Sequence, residues 1–120
     1  MAIFQTQLYD KVHKKVMAIG SIEQMVQAYN MAKMAMGGDY EVQPHGCQKD
    51  GKAYTFDIVF VNDTDEVHMG LDTTLMGCIR YLTENQGTKN GYFGKYAGGK
   101  ALVGIHCIEE EVLVYYCHVK

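Results

Sequence analysis

The segment Gly87-Thr88-Lys89-Asn90-Gly91-Tyr92-Phe93-Gly94-Lys95-Tyr96-Ala97-Gly98-Gly99-Lys100 gathers the residue types that handle anions. It holds five glycines, three lysines, two tyrosines and no acid, so it carries +3 in a chain whose formal net charge is −3. Glycines let backbone N–H groups approach a phosphate closely, lysines supply charge, and tyrosine rings stack on bases. Lys89, Lys95 and Lys100 are therefore candidate anion contacts, Tyr92 and Tyr96 candidate stacking groups, and Gly98 and Gly99 candidates for close backbone approach. The run is not a Walker motif, because Ala101 stands where a P-loop needs Ser or Thr. The competing view is a flexible connection whose lysines only keep it soluble.

Other chemistry-bearing residues come in small groups. His45 with Cys47, His106 with Cys107, and Cys117 with His118 are of the types zinc prefers. In a C-terminal hairpin with a two-residue loop, however, Cys107 and His118 lie roughly 20 Å apart at the normal strand rise. Adjacent residues on a strand also point to opposite faces, so buried thiols and hydrogen-bonded histidines are expected, and no metal site. No local signature sets a histidine base beside a cysteine nucleophile, so no catalytic residue is assigned. Asp63, Asp65 and Glu66, and then Glu109, Glu110 and Glu111, fall in expected turns where carboxylates are solvated.

The elements that position these groups follow from periodicity. Phe4, Leu8, Val12 and Val16 recur every four residues and predict a helix over residues 4–16, ended by Gly20, with a strand over 4–19 as the alternative. Ser21 and Gln24 form a capping-box pair that starts a second helix, which Gly37 and Gly38 stop. From Asp39 the period becomes two. Tyr40 and Val42, then Tyr54, Phe56, Ile58 and Phe60, predict a hairpin turning at Lys49-Asp50-Gly51, and Val67, Met69 and Leu71 a short third strand or else the start of a helix. Asp72 is the expected N-cap of a helix running to about Asn85. Two strands, 101–108 and 111–119, close the chain, with Val103, Ile105, Cys107, Val112, Val114 and Tyr116 on one face and Leu102, His106, Leu113, Tyr115 and Cys117 on the other. Both faces are largely apolar, which predicts burial on both sides or self-association.

Gly94-Lys95-Tyr96-Ala97-Gly98-Gly99-Lys100-Ala101-Leu102-Val103 resembles the nucleotide-contacting loop of PII-like signalling proteins, where a Gly-Lys and Gly-Gly-Lys run enters the last core strand. The resemblance implies a ferredoxin-like βαββαβ core, a trimer, and an adenine nucleotide between subunits with Lys95 and Lys100 near its phosphates.

Composition sets the outer limits. With 120 residues, 48% hydrophobic and 21% charged, the expectation is a single α+β domain spanning 1–120, with two or three helices on a mainly antiparallel sheet of four or five strands. A ferredoxin-like core is the nearest named arrangement. Four cysteines without CxxC spacing, no bilayer-length apolar run and no signal-peptide pattern lead to an expected cytoplasmic location. The negative balance argues against broad nucleic-acid binding. The leading expectation is a small oligomeric binding or regulatory protein that takes a phosphorylated or nucleotide-like small molecule at loop 87–100, without cofactor or catalysis. The alternative is a protein that binds another macromolecule, as an inhibitor carried by a mobile element would, through Tyr92, Phe93 and Tyr96. A small enzyme acting on a nucleotide-like substrate ranks third.

Overall fold

The computed structural model describes residues 5–45, 48–49 and 52–120. The chain is α+β: among the described residues three helices pack on antiparallel sheets of three and four strands, which is compatible with a ferredoxin-like arrangement. It divides into two compact units, Met1–Tyr54 and Thr55–Lys120.

The first unit runs β1 (Thr6–Asp10), β2 (Lys15–Gly20), α1 (Ile22–Met36) and β3 (Tyr40–Pro44), with sheet order β2-β1-β3, both pairings antiparallel. A two-residue ladder of β4 (Gln48–Lys49) with β5 (Lys52–Ala53) follows. The expected first helix is instead the β1–β2 hairpin. Leu8, Val12 and Val16 are spaced by four, a multiple of two as well as about one helical turn, so the stripe suits either period. Asp10 decides between them. Its Oδ1 accepts the N–H groups of Val12 at 3.0 Å and His13 at 3.1 Å, and that local turn competes with helix. Thr6, Leu8 and Asp10 then point inward, with Gln7 and Tyr9 half-buried between them, and Phe4 lies outside the described residues.

Helix α1 starts as expected. Ser21 Oγ accepts from Gln24 N, Gln24 Oε1 accepts from Ser21 N, and the Gly37 N–H closes the far end on Lys33 O. Ile22, Met25 and Tyr29 are buried, whereas Met31 and Met34 are exposed. The predicted pairing of residues 40–42 with 54–60 is not made: β3 pairs with β1, and the later strand belongs to the second unit. Alternation marks a strand but not its partner, and β1, once it is a strand, offers β3 a full ladder. Asp50 and Gly51 of the expected turn lie outside the described residues.

The second unit contains β6 (Phe56–Val61), β7 (Glu66–His68), α2 (Leu75–Asn85), α3 (Gly91–Lys95), β8 (Leu102–Cys107) and β9 (Val112–His118). Its sheet order is β7-β6-β8-β9, antiparallel throughout. Phe56, Ile58 and Phe60 stand opposite Cys107, Ile105 and Val103, and all six are buried. Helix α2 supplies Leu75, Met76, Cys78, Ile79 and Leu82 to this core. Its N-cap is Thr74, whose Oγ1 accepts from Gly77 N, rather than Asp72, which sits at φ 43° in the preceding turn.

The C-terminal hairpin keeps the expected register only near its turn, with Cys107 opposite Val112 and His106 opposite Leu113. A bulge follows, after which Ile105 faces Tyr115, Gly104 faces Tyr116 and Val103 faces Cys117. One inserted residue moves everything beyond it to the other face. The expected face assignment is therefore corrected: Tyr115 and Cys117 join Val103 and Ile105, while Tyr116, 61% exposed, leaves them.

Candidate functional site

The glycine-rich segment is a packed element. Helix α3 drives the Phe93 ring into the core, edge-on to Phe60 at 5.0 Å between centroids and 5.8 Å from Tyr81. Tyr92 and Tyr96 stack on each other at 5.9 Å and 11°, both also against Phe60. The Lys95 ammonium lies 5.6 Å from the Tyr92 centroid and 5.4 Å from that of Tyr96, within cation–π range of both. Gly94 is required by close approach, since a Cβ there would stand 2.5 Å from the Lys89 carbonyl oxygen.

Past Lys95 the chain turns through Gly98 and Gly99, both at φ 80°, a conformation that side chains rarely adopt. This turn is pinned to the end of β9: Gly99 N donates to Val119 O at 2.8 Å and Val119 N to Ala101 O at 3.0 Å. Lys100 N is turned back on Tyr96 O at 3.3 Å. The N–H groups of Gly99 and Lys100 are thus engaged within the fold, and the side chain of Lys100 is what this turn presents outward.

What it faces is set by register. Val61 stands opposite Leu102, and Leu102 opposite His118, so three strands place these side chains in one row on the face away from α2. The turn after β6 adds Asn62 and Asp63. Together with Gly99, Lys100 and Ala101 they wall an open cleft of about 300 Å³. Asn62 Oδ1 accepts from the Thr64 N–H and hydroxyl, which fixes the turn, and its amide reaches toward Tyr96 Oη at 3.5 Å. Lys100, His118 and Asp63 are exposed, and Lys100 has no ion pair among the described residues. The cleft therefore offers a free cation, an imidazole and an amide on a small apolar floor, with one carboxylate at the rim.

Of the seven residues expected at a ligand site, Gly99 and Lys100 line this cleft, with Gly98 next in the chain. Lys89, Tyr92, Lys95 and Tyr96 do not line it. Tyr96 is buried and Phe93 fully so, which leaves Tyr92 and Lys95 as the outward groups of α3. Asn62, Asp63 and His118 were not singled out for this role in the sequence. His118 reaches the cleft only because of the bulge, and no local pattern announces the pairing of residues 61, 102 and 118.

Several of the other candidates are taken up by the fold. Cys78, Cys107 and Cys117 are free thiols, and Cys47 lies outside the described residues. Burial, helped by the Asp57 charge, pushes the Cys78 thiol up to about 12, and burial raises that of Cys107 as well. Cys117, half-buried, accepts from the Gln86 amide at 3.3 Å. Among the described residues no group of three or more His, Cys, Asp or Glu side chains is placed to hold a metal ion. Glu109 is held by Thr55, accepting from both its N–H and its hydroxyl. Asp57, unnoticed in the sequence, is 4% exposed: its Oδ1 accepts from Ile58 N and Leu71 N, and its Oδ2 from Gly70 N.

No protein-family model, curated protein or solved structure matches the chain. The resemblance at residues 94–103 thus gains no support from those comparisons, and the site rests on its own geometry.

Proposed function

We propose that the protein is a binding module for a small phosphorylated molecule, a mononucleotide being one of the right size, held in the cleft at Lys100 without catalysis. The observation that carries this is the convergence of Lys100, Asn62 and His118 on a concave surface of about 300 Å³, at the small end of the range of ligand sites. A phosphate belongs at Lys100, where charge-assisted hydrogen bonds are strong. Asp63, on the same wall, suits a hydroxyl or amino donor on the rest of the ligand and disfavours a second phosphate near it. Tyr92 and Tyr96 support the site indirectly, by packing the segment that carries Gly98 to Lys100.

The experiment is a thermal-shift series with inorganic phosphate, sugar phosphates and nucleoside mono-, di- and triphosphates. A ligand that binds only the folded state raises the midpoint in proportion to the logarithm of its concentration. Monophosphates that carry a hydroxyl or amino donor are expected to stabilise more than inorganic phosphate or triphosphates. A flat response to every compound would remove this reading.

A further inference from the structure

We infer that β2 is a dimerisation edge, occupied by β2 of a second copy of this chain running antiparallel to it; this does not depend on the ligand reading. In the order β2-β1-β3 the strand has, among the described residues, β1 on one side only, and all six of its residues are exposed or half-exposed. Of the exposed large apolar residues of the first unit, Val16 at 45%, Met17 at 39% and Ile19 at 52% lie on this strand and Val12 in the adjoining turn, while Met31 and Met34 lie on α1. Val16 stands opposite Tyr9 and Ile19 opposite Gln7, so both point to the sheet face away from Thr6, Leu8 and Asp10. A strand edge flanked by apolar side chains is a surface that folded chains ordinarily cover.

Charge selects the occupant. The start of β2 is basic, with Lys14 and Lys15 exposed and without ion pairs among the described residues, whereas its end leads through Gly20 and Ser21 to Glu23, exposed in the first turn of α1. A two-fold contact sets the Lys15 end of one strand against the Glu23 end of the other and brings Val16 toward Ile19 of the partner copy. A parallel contact would put lysine against lysine. The bulge at Met17 and the lysine at the strand start are features that discourage open-ended edge pairing, and a two-fold contact consumes the edge and closes.

The test is sedimentation of the wild-type chain and surface variants across a dilution series, with circular dichroism confirming the fold of each. The wild type should reach twice the chain mass. Ile19→Lys should raise the dissociation constant at least about tenfold, as loss of a central apolar contact does. Lys15→Glu should weaken the dimer, and Lys15→Glu combined with Glu23→Lys should restore it. Tyr116→Lys, on β9, should leave the mass unchanged. A wild type monomeric at every concentration, a dimer insensitive to Ile19→Lys or broken by Tyr116→Lys, or a charge exchange that fails to restore association would each overturn the inference.

Discussion

Phe60 on β6 and Phe93 on α3 meet edge to face, with ring centroids 5.0 Å apart and planes at 82°. That contact seats the glycine-rich segment on the sheet and so fixes where Lys100 emerges. Removing the Phe93 ring should cost about 3–5 kcal/mol, as for other buried aromatics cut to alanine. Urea unfolding of Phe93→Ala measures it, and a change near zero would mean that the segment is only a loose connection.

Asp57 tests whether the β7–α2 turn hangs on one carboxylate. Asp57→Ala leaves the N–H groups of Ile58, Gly70 and Leu71 without that acceptor in a site that is 4% exposed, a loss of about 3 kcal/mol. Asp57→Asn keeps one acceptor oxygen and should lose less. Chemical denaturation of the two variants gives the order.

The acid limb of stability should owe part of its slope to Asp10. Hydrogen bonds from the His13 backbone and then from its ring hold this carboxyl below its ordinary value of 3.8. A depressed folded value means that the contribution is complete above the unfolded value and fades as the pH falls through the lower, folded one. Wild type and Asp10→Asn should therefore differ in stability at neutral pH and converge on acidification below about pH 3.8. Denaturation midpoints across that window are the measurement.

Thiol reactivity should rank by burial. Cys78, its thiol pushed up to about 12, and Cys107, fully buried, should resist iodoacetamide at mildly alkaline pH until the protein unfolds. Cys117, half-buried at β9, should react in the native state. Peptide-level mass spectrometry of a timed alkylation distinguishes the three.

These relationships were legible in the sequence to different depths. Ser21 and Gln24 announced α1 because a capping box is local, and Leu75 to Leu82 announced α2 because an amphipathic period is local. Residues 4–16 pattern as a helix, yet β1 and β2 fold as a hairpin, because a spacing of four fits both periods and the arbiter, Asp10 accepting from Val12 and His13, is a side-chain turn hidden in the pattern. The loop was visible by composition, yet the roles within it were not. Tyr96 and Phe93 look like free aromatics until Phe60, more than thirty residues away, takes them up. Asn62, Asp63 and His118 meet Lys100 only through strand register, and a single bulge near Ile105 decides which face His118 occupies.

Calorimetric titration of adenosine monophosphate into the wild type and Lys100→Ala, with Lys89→Ala as the control outside the cleft, measures whether Lys100 holds a phosphate. Saturable binding is expected of the wild type and of Lys89→Ala. A loss of at least about tenfold is expected for Lys100→Ala, because a charge-assisted hydrogen bond contributes roughly 1.5–3 kcal/mol. Equal binding by wild type and Lys100→Ala, or a loss confined to Lys89→Ala, would contradict it.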